Sequence, residues 1–297
     1  MRKIAVIGST GMLGREISRT SYAGYKLIEL NRQLNPTINS NEHVQIDSKL
    51  TDLDAKMNFK DVDYVINCAG LIRQKIDERN PVSRISALEA NFEIPLKLVS
   101  LSERYNFRII QIGTDCVFSG HKGSYLESDS HDALDLYGKS KSLGEIPHQN
   151  LSVLRTSIVG VEAESNSSLL SWLLTRPKNA IIQGYTDQLW NGVTVLHFAK
   201  LVSNIICHDK FRDYAGVHHV VPANVVTKDS LLKIFARVFN REDLQIESRP
   251  SGRVANMTLS TNNPNLNKLL WNLAGYSHPL TIEEMILEYS SLIRSGG

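Results

Sequence analysis

Residues 4–14 read Ile4-Ala5-Val6-Ile7-Gly8-Ser9-Thr10-Gly11-Met12-Leu13-Gly14, an apolar run that ends in a glycine-rich segment. Four strand-favouring residues followed at once by glycine predict a buried strand that turns sharply into a helix over residues 12–21. Glycines in this position let the backbone approach a pyrophosphate, whose charge is stabilised at the helix N-terminus. Such turns are common, so the evidence is the place of this one between the first strand and the first helix. The segment predicts a dinucleotide site formed by Gly8, Thr10, Gly11, Met12, Leu13 and Gly14.

Strand-like and helix-like segments alternate through the first half of the chain. Strands are predicted at residues 3–7, 25–30, 64–67, 108–112 and 152–157, with helical patterns between them. This alternation is typical of βαβ crossovers, so we expect an α/β, Rossmann-type, doubly wound parallel sheet. From residue 158 the alternation weakens. We expect residues 1–157, with late sheet elements near 193–225, to form the nucleotide-binding domain. Residues 158–192 and 226–297 would form a smaller, interleaved C-terminal substrate lobe.

The composition excludes several classes of function. The 297 residues carry 33 Lys and Arg against 31 Asp and Glu, a formal net charge of +2, so no strong basic field exists for nucleic acid or an anionic membrane. Gly8 interrupts the first apolar run too early for a signal peptide. Three scattered cysteines fit a reducing compartment and lack the spacing of a structural zinc site. We expect a cytoplasmic protein with no nucleic-acid, membrane or metal partner.

The end of the second predicted strand bears on which dinucleotide binds. An acid there accepts hydrogen bonds from the adenosine ribose of NAD, whereas a cation favours the 2′-phosphate of NADP. Residues 27–30 are followed by Asn31 and Arg32, with no carboxylate at the expected tip. NADP(H) is therefore favoured over NAD(H). Two alternatives stay open: Glu29 serves as the acid if the strand ends earlier, or Arg32 is merely a solvated surface residue.

Tyr137 and Lys141 are the candidate catalytic pair. They stand four residues apart at the start of a helical stretch, so their side chains lie on one helical face. A tyrosine, whose ordinary pKa is about 10, is a poor acid or base at neutral pH. A neighbouring ammonium favours its phenolate and brings it toward the working range. Thr114, just after the strand at 108–112, supplies a hydroxyl that can orient a substrate carbonyl.

Longer motifs in the right order extend this pattern over nearly the whole chain. They are the glycine turn at 8–14, Asn67-Cys68-Ala69-Gly70, Asn91, Thr114-Asp115-Cys116-Val117-Phe118-Ser119-Gly120, residues 137–145, Arg155-Thr156-Ser157, Asp187-Gln188, and Asn256 with Leu259 and Thr261. Together they resemble the extended short-chain dehydrogenase/reductases, and most closely the dTDP-4-dehydrorhamnose reductase-like, sugar-nucleotide-binding branch. The resemblance implies an NAD(P)-dependent oxidoreductase that reduces a 4-keto deoxy nucleotide sugar for surface-polysaccharide biosynthesis. The resemblance is also compatible with a homodimer.

The resemblance also implies a role for each site residue. A nicotinamide hydride would reach the ketone carbon, Tyr137 would protonate the ketone oxygen, Thr114 would bind that oxygen, and Lys141 would bind the nicotinamide ribose. Further implied cofactor residues are Asn31, Arg32, Asp47, Cys68, Ala69, Gly70 and Asn91. The implied substrate residues are Cys116, Val117, Phe118, Trp172, Gln188, Trp190 and Arg253. For both tryptophans a place in the core of the lobe is the alternative.

Two departures from the family pattern leave the substrate open. Cys116 stands where the rhamnose enzyme has tyrosine, and residues 187–194 carry one extra residue and Val193 where proline is usual. Cys116 also takes the place of the acid that 4,6-dehydratases carry, which disfavours dehydration. Its position two residues after the catalytic hydroxyl matches GDP-fucose synthase-like enzymes, so an epimerase/reductase is one alternative. The other alternative is a non-catalytic, nucleotide-binding regulatory subunit.

Overall fold

A computed structural model describes residues 2–32, 42–47, 49–51, 53–162, 167–252 and 255–295. Arg253, one of the predicted substrate residues, lies outside these ranges. The strands are β1 (Arg2–Ile7), β2 (Tyr25–Asn31), β3 (His43–Gln45), β4 (Val62–Asn67), β5 (Arg108–Ile112), β6 (Leu151–Arg155), β7 (Ile158–Val159), β8 (Ile181–Tyr185), β9 (Gln188–Trp190), β10 (Val193–Thr194), β11 (Gly216–His219), β12 (Val226–Thr227), β13 (Gln245–Arg249) and β14 (Ala255–Asn256). The helices are α1 (Met12–Arg19), α2 (Leu53–Lys56), α3 (Pro81–Leu88), α4 (Ile94–Tyr105), α5 (Leu136–Leu143), α6 (Leu169–Leu174), α7 (Val195–Cys207), α8 (Lys228–Val238), α9 (Pro264–Leu273) and α10 (Ile282–Ser295).

Seven strands form one sheet in the order β11-β6-β5-β4-β1-β2-β3. The neighbouring strands from β3 to β6 all pair in parallel. The chain moves outward from β1 to β3 and then returns to β4 on the other side of β1, so the strand order reverses between β1 and β4. The predicted Rossmann-type sheet is confirmed. Ligands of such sheets bind outside the carboxyl ends of the strands at this reversal.

The central strands are apolar because helices cover the sheet on both faces. Ile4, Ala5 and Val6 in β1 are fully buried, and so are Ile109 and Ile110 in β5. Burying one large aliphatic side chain contributes about 1.5–3 kcal/mol relative to leaving it exposed. The core therefore holds the carboxyl ends of β1, β4 and β5 in fixed positions along one edge of the sheet.

The chain divides into two compact units. Unit 1 comprises residues 1–117, 131–155 and 199–218, and unit 2 comprises residues 118–130, 156–198 and 219–297. These bounds differ from the predicted ones in three places: residues 118–130 and 156–157 belong to unit 2, and the late portion of unit 1 spans 199–218 rather than 193–225. Packing explains the first difference, because the ring of Phe118 stacks on Tyr125 with centroids 4.2 Å apart, and Tyr125 pairs with Leu259 of unit 2.

Unit 2 is built from short strands and helices. Its strands form three small sheets, in which β7 pairs with β10, β8 with β13, and β9 lies between β12 and β14. Thr227 begins α8 by accepting a hydrogen bond from the backbone N–H of Ser230 at its side-chain oxygen. Among the helices in the described ranges, none is long and apolar enough to span a membrane.

Candidate active site

The glycine turn between β1 and α1 forms a cradle that larger residues would fill. Gly8 adopts φ +79°, and a Cβ atom there would lie 3.0 Å from the backbone N of Ala69. At Gly14 a Cβ atom would lie 2.1 Å from the carbonyl O of Gly8, so glycine is required for α1 to begin this close to β1. Gly11 is the N-cap of α1 and has no side chain to bond the first N–H groups of the helix. These groups fit a pyrophosphate, as helix N-termini commonly do.

Glu29 is used inside the sheet rather than at the end of β2. The strand continues through Asn31, and the side chain of Glu29 is fully buried. Ser9 Oγ donates a hydrogen bond to Glu29 Oε2 at 2.8 Å, and Asn31 Nδ2 donates one to Ser9 Oγ at 2.6 Å. The Glu29 carboxylate therefore holds the glycine turn through Ser9. Exposed Arg32 is the first charged residue after the strand.

Asp47 follows β3 and organises its own turn. Its Oδ1 accepts hydrogen bonds from the backbone N–H of Thr51 at 2.9 Å and of Lys49 at 2.8 Å. These bonds, with that from Thr51 the larger influence, lower the pKa of Asp47. The carboxylate therefore stays ionised and remains available as a hydrogen-bond acceptor beside β3.

Cys68, Ala69 and Gly70 follow β4 at the same edge of the sheet as the glycine turn. The backbone N–H of Cys68 donates to the carbonyl O of Ile7 at 3.0 Å, and that of Ala69 donates to Asn67 Oδ1 at 3.1 Å. Burial raises the pKa of the Cys68 thiol to about 12, so it is a protonated, packing thiol at neutral pH.

Asn91 joins the segment after β4 to the helix that carries Tyr137. It lies in a π-helical turn, Glu89–Glu93, between α3 and α4. Its Oδ1 accepts from the backbone N–H of Leu71 at 2.8 Å, and its Nδ2 donates to the carbonyl O of Leu71 and to Ser140 Oγ, both at 3.0 Å. π-helical turns of this kind are frequent at functional sites. Asn91 is thus held inside unit 1 as a bridge.

Helix α5, which carries Tyr137 and Lys141, begins close to Thr114. Asp135 is its N-cap, and Asp135 Oδ1 accepts from the backbone N–H of Gly138 at 2.8 Å. A Cβ atom at Gly138 would lie 2.2 Å from the carbonyl O of Cys116, so glycine lets α5 pack directly on the turn that follows Thr114. The Thr114 hydroxyl donates to Asp115 Oδ1 at 3.2 Å and lies near enough to the Tyr137 phenol to lower its pKa. The structure therefore brings this predicted pair together.

Tyr137 and Lys141 have pKa values shifted by their surroundings. Burial and the neighbouring thiol of Cys116 raise the pKa of Tyr137, whereas the nearby Thr114 hydroxyl opposes that rise. Burial lowers the pKa of Lys141 to about 8, against the opposing effect of Glu145. Lys141 Nζ donates to the carbonyl O of Ile112 at 2.7 Å, at the carboxyl end of β5. Opposed shifts in an acid–base pair are typical of catalytic sites.

Cys116 is adjacent to Tyr137 but is a poor base. Burial and the carboxylate of Asp115 raise the pKa of its thiol well above its ordinary range. Because the thiolate is the form that abstracts a proton, this environment disfavours the epimerase role. The next residue, Val117, is fully buried, and its carbonyl O already accepts the backbone N–H of Ala133 at 3.1 Å, so it offers no surface to a ligand.

A buried ion pair supports the end of α5. The guanidinium of Arg155, only 3% exposed in its side chain, donates to both carboxylate oxygens of Glu145 at 3.0 Å through Nε. His131 Nε2 lies 2.5 Å from the same guanidinium, and its Nδ1 lies 2.5 Å from Ser142 Oγ. Arg155 therefore fixes β6 against α5.

Two of the predicted substrate residues in unit 2 lie in its core. Phe118 is fully buried on Tyr125, and Trp190 is 8% exposed. Trp190 Nε1 donates to Ser157 Oγ at 2.8 Å, so the indole N–H already has a partner. This placement fits the core alternative for Trp190.

The other two described substrate candidates keep accessible surface. Trp172 on α6 is half-buried, and the guanidinium carbon of Arg176 lies 4.9 Å from the centre of its ring. Gln188 is half-buried at the start of β9, where it pairs with Ala255 of β14. Both can offer polar or aromatic surface to a ligand of unit 2.

Arg73 and Asp135 are site residues that sequence reasoning missed. Arg73 Nη2 lies 2.5 Å from Asp135 Oδ2, and the guanidinium carbon of Arg73 lies 6.0 Å from the centre of the Tyr137 ring. Asp135 carried a usable signal, because an acidic residue just before a helical pattern is a preferred N-cap. Arg73 carried none, since a single cation after a strand has no local signature.

The Rossmann-type sheet, the glycine cradle and the Thr114, Tyr137 and Lys141 cluster define an extended short-chain dehydrogenase/reductase-like protein. The chain matches the family described as RmlD substrate binding domain over residues 1–282. Because the match spans nearly the whole chain, the protein belongs to this family.

Three curated relatives are similar at low identity. Spore coat polysaccharide biosynthesis protein SpsK of Bacillus subtilis (strain 168) is 27% identical over 229 residues, 74% of this chain and 73% of the relative. The dTDP-4-dehydrorhamnose reductase of Aggregatibacter actinomycetemcomitans is 28% identical over 65% of this chain and 63% of its own length. Methionine adenosyltransferase 2 subunit beta of Danio rerio is 29% identical over 55% of this chain and 50% of its own length.

Solved structures share the fold along almost the whole chain. A dTDP-4-dehydrorhamnose reductase from Clostridium acetobutylicum ATCC 824 has a TM-score of 0.75 and 21% identity, covering 98% of this chain and 99% of its own. One from Bacillus anthracis str. Ames, in complex with NADP, has a TM-score of 0.76 and 16% identity, covering 99% and 100%. A dTDP-glucose 4,6-dehydratase from the same organism, in complex with NAD, has a TM-score of 0.74 and 16% identity, covering 99% and 97%.

Proposed function

We propose that this protein is an NAD(P)H-dependent reductase of a 4-keto nucleotide sugar. The observation that carries the proposal is the cluster of Thr114, Tyr137 and Lys141 at the carboxyl ends of the strands, in the same unit as the glycine cradle. Membership of the RmlD substrate binding domain family supports the substrate class. The relative named for spore coat polysaccharide biosynthesis supports a role in supplying sugars for surface polysaccharides.

The site residues divide the work of reducing a ketone. When bound, a reduced nicotinamide supplies the hydride that forms the new C–H bond at the carbonyl carbon. Thr114 Oγ1 donates a hydrogen bond to the carbonyl oxygen and fixes its position beside Tyr137. The Tyr137 phenol gives its proton to that oxygen, so the product is an alcohol and the tyrosine is left as a phenolate. Lys141 stabilises the phenolate by its charge until a proton returns from solvent.

The preference for NADP(H) over NAD(H) is part of the proposal. Its support is the end of β2, where the Glu29 carboxylate is buried and engaged by Ser9 and therefore does not face an adenosine ribose. Asn31 donates its amide N–H to Ser9, and exposed Arg32 follows. A guanidinium at this position suits a 2′-phosphate, which it can bind bidentately.

Substrate binding by unit 2 is the least specified part of the proposal. Trp172, Gln188 and Arg249 are the residues we expect to meet a nucleoside diphosphate sugar; Arg249 is exposed at the end of β13. An aromatic ring can stack on a base, and a guanidinium can bind diphosphate oxygens. The identity of the base and of the sugar stays open, because Cys116 and residues 187–194 depart from the family pattern.

A nucleotide-binding subunit without catalysis is the second candidate. The similarity to methionine adenosyltransferase 2 subunit beta is the observation that favours it. The presence of Thr114, Tyr137 and Lys141 together favours an enzyme instead. The two candidates agree on cofactor binding and differ on turnover.

Cofactor oxidation with a panel of 4-keto nucleotide sugars tests the proposal. We expect NADPH oxidation by the wild type with at least one dTDP-, UDP-, GDP- or CDP-linked ketone. Tyr137→Phe should lower kcat by roughly 100-fold or more, since it removes the general acid, while NADPH binding measured by fluorescence quenching stays within about twofold of the wild type. Cofactor binding without turnover on the full panel would favour the subunit, and undiminished turnover in Tyr137→Phe would refute the mechanism.

A further inference from the structure

Arg73 brings a second positive charge to the catalytic tyrosine. It lies in the short turn Arg73–Lys75 that follows β4. Its guanidinium carbon is 6.0 Å from the centre of the Tyr137 ring, within the range over which a cation is attracted to an aromatic face. The roles proposed above for the glycine turn and for Thr114, Tyr137 and Lys141 assign no function to Arg73.

Two contacts hold Arg73 in place. Arg73 Nη2 pairs with Asp135 Oδ2 at 2.5 Å, while Asp135 Oδ1 accepts a hydrogen bond from the backbone N–H of Gly138. The guanidinium is therefore tied to the first turn of the helix that carries Tyr137. From the other side, Asn91 bonds both the N–H and the carbonyl of Leu71, two residues before Arg73. The Arg73 guanidinium is thus held by Asp135, and the backbone just before Arg73 is held by Asn91.

The charges around Tyr137 come from three elements. The turn after β5 contributes Asp115 and the Cys116 thiol, both of which raise the pKa of Tyr137, and the turn after β4 contributes Arg73, which lowers it. On its own helix Tyr137 has Asp135 before it, and Lys139 and Lys141 after it. Lys139 is exposed, and Lys141 Nζ is bonded to the carbonyl O of Ile112. The Glu78 carboxylate accepts the backbone N–H of Leu136 beside the helix start.

We propose that Arg73 is a positioning residue that stabilises the ionised form of Tyr137, and that Asp135 sets the strength of this effect by holding and partly neutralising the guanidinium. The inference rests on the proposed function, in which Tyr137 passes a proton to the substrate oxygen. Arg73 touches neither reacting atom in that scheme and acts through Tyr137. Lys141 and Arg73 would then stabilise the phenolate from two different elements.

Substitutions of Arg73 and of Asp135 should shift the pKa of Tyr137 in opposite directions. Removing a cation near a phenol raises the pKa of the phenol, and removing an anion lowers it. The side chain of Arg73 is 45% exposed, so solvent screens its charge. We expect a shift of about 0.5–1 pH unit for loss of the guanidinium. Asp135→Asn keeps an oxygen that can cap α5, so it removes the charge while preserving the helix start.

The experiment follows the ionisation of Tyr137 directly. Full-length protein labelled with 13Cζ-tyrosine is saturated with NADP+ or NAD+, and the Tyr137 resonance is assigned by its loss in Tyr137→Phe. Its pH midpoint is then compared in the wild type, Arg73→Gln, Arg73→Lys, Asp135→Asn and Arg84→Gln. Arg84 is an exposed arginine of α3 and is not among the main influences on the pKa of Tyr137, so Arg84→Gln makes the same charge change as a control. Circular dichroism checks that each variant is folded.

We expect the midpoint to rise in Arg73→Gln, to fall in Asp135→Asn, and to stay at the wild-type value in Arg84→Gln. Arg73→Lys should retain most of the wild-type value because it keeps the charge. A purely structural role would move Arg73→Gln and Asp135→Asn in the same direction, and that result would overturn the inference, as would equal midpoints in all variants. Failure to bind either dinucleotide would instead refute the proposed function. The bound oxidised nicotinamide carries a positive charge that opposes the effect of burial on the pKa of Tyr137. Binding of the dinucleotide without ionisation of wild-type Tyr137 up to pH about 10.5 would therefore overturn the inference, since no phenolate would exist to stabilise.

Discussion

Gly14→Ala is expected to destabilise the protein, because the backbone of the glycine turn leaves no space for a side chain at this position. The added Cβ atom would lie 2.1 Å from the carbonyl O of Gly8 and 2.8 Å from Ser9 Cα. These are backbone atoms, so no rotamer change relieves the overlap. Helix α1 would have to move by about 0.9 Å, the difference between 2.1 Å and a tight 3.0 Å contact. Overpacking of this kind costs about 2–3 kcal/mol.

Gly11→Ala is the matched control. Its Cβ atom would lie 3.4 Å from the carbonyl O of Gly8, an ordinary contact, and the residue has φ −71°, which alanine adopts readily. The small loss of cap preference is offset by the lower entropy of the unfolded chain, so we expect a change within about 0.5 kcal/mol.

The assay is urea unfolding of the cofactor-free protein, with NADPH binding measured by calorimetry. All three tryptophans lie in unit 2, so circular dichroism is the probe that also reports on unit 1. Gly14→Ala should lower the unfolding midpoint and weaken NADPH binding, because the helix start moves away from the cradle. A midpoint for Gly14→Ala equal to that of Gly11→Ala would refute the steric argument.

Two further predictions concern the support and the charge of the site. Glu145→Ala leaves the Arg155 guanidinium buried without its carboxylate, so the free energy of unfolding should fall by about 3–5 kcal/mol. The control is Glu103→Ala, which removes an exposed carboxylate and should lower the free energy of unfolding by less than about 1 kcal/mol. Equal losses for the two variants in denaturant titrations would contradict the prediction. The pKa of Lys141 is about 8 in the folded protein and 10.5 in its ordinary state, so the unfolded chain binds more protons between these values. The free energy of unfolding should therefore rise with pH from about 8 to 10.5 in the wild type. Lys141→Met should lack this rise, and thermal unfolding measured over a series of pH values can check both expectations.

Much of unit 1 follows from local sequence. Apolar runs bounded by glycine, asparagine or aspartate placed β1, β2, β4 and β5 within two residues of their observed bounds. The reason is that a strand buried on both faces needs an unbroken apolar run, and each run here is followed by a turn signal. The four-residue spacing of Tyr137 and Lys141 likewise needed only the helical repeat.

The bounds of the two units depended on contacts between distant residues. Residues 118–130 begin shortly after β5 ends at Ile112 and carry no sequence signal that separates them from unit 1. They belong to unit 2 because Phe118 stacks on Tyr125 and Tyr125 meets Leu259. Trp190 was open between a ligand and a core role, and its hydrogen bond to Ser157 depends on a residue far away in the chain.

Some features of the candidate site followed from the local sequence, and others depended on the tertiary structure. Residue type and spacing alone indicated a dinucleotide cradle at Gly8–Gly14 and a Tyr–Lys pair, because both depend on backbone geometry within one or two turns. Which way the Glu29 carboxylate faces was decided by Ser9, and the cation above Tyr137 was decided by the pairing of Arg73 with Asp135. Electrostatic neighbours are set by distance in space, and only the parallel sheet, with its strand ends along one edge, brings these residues together.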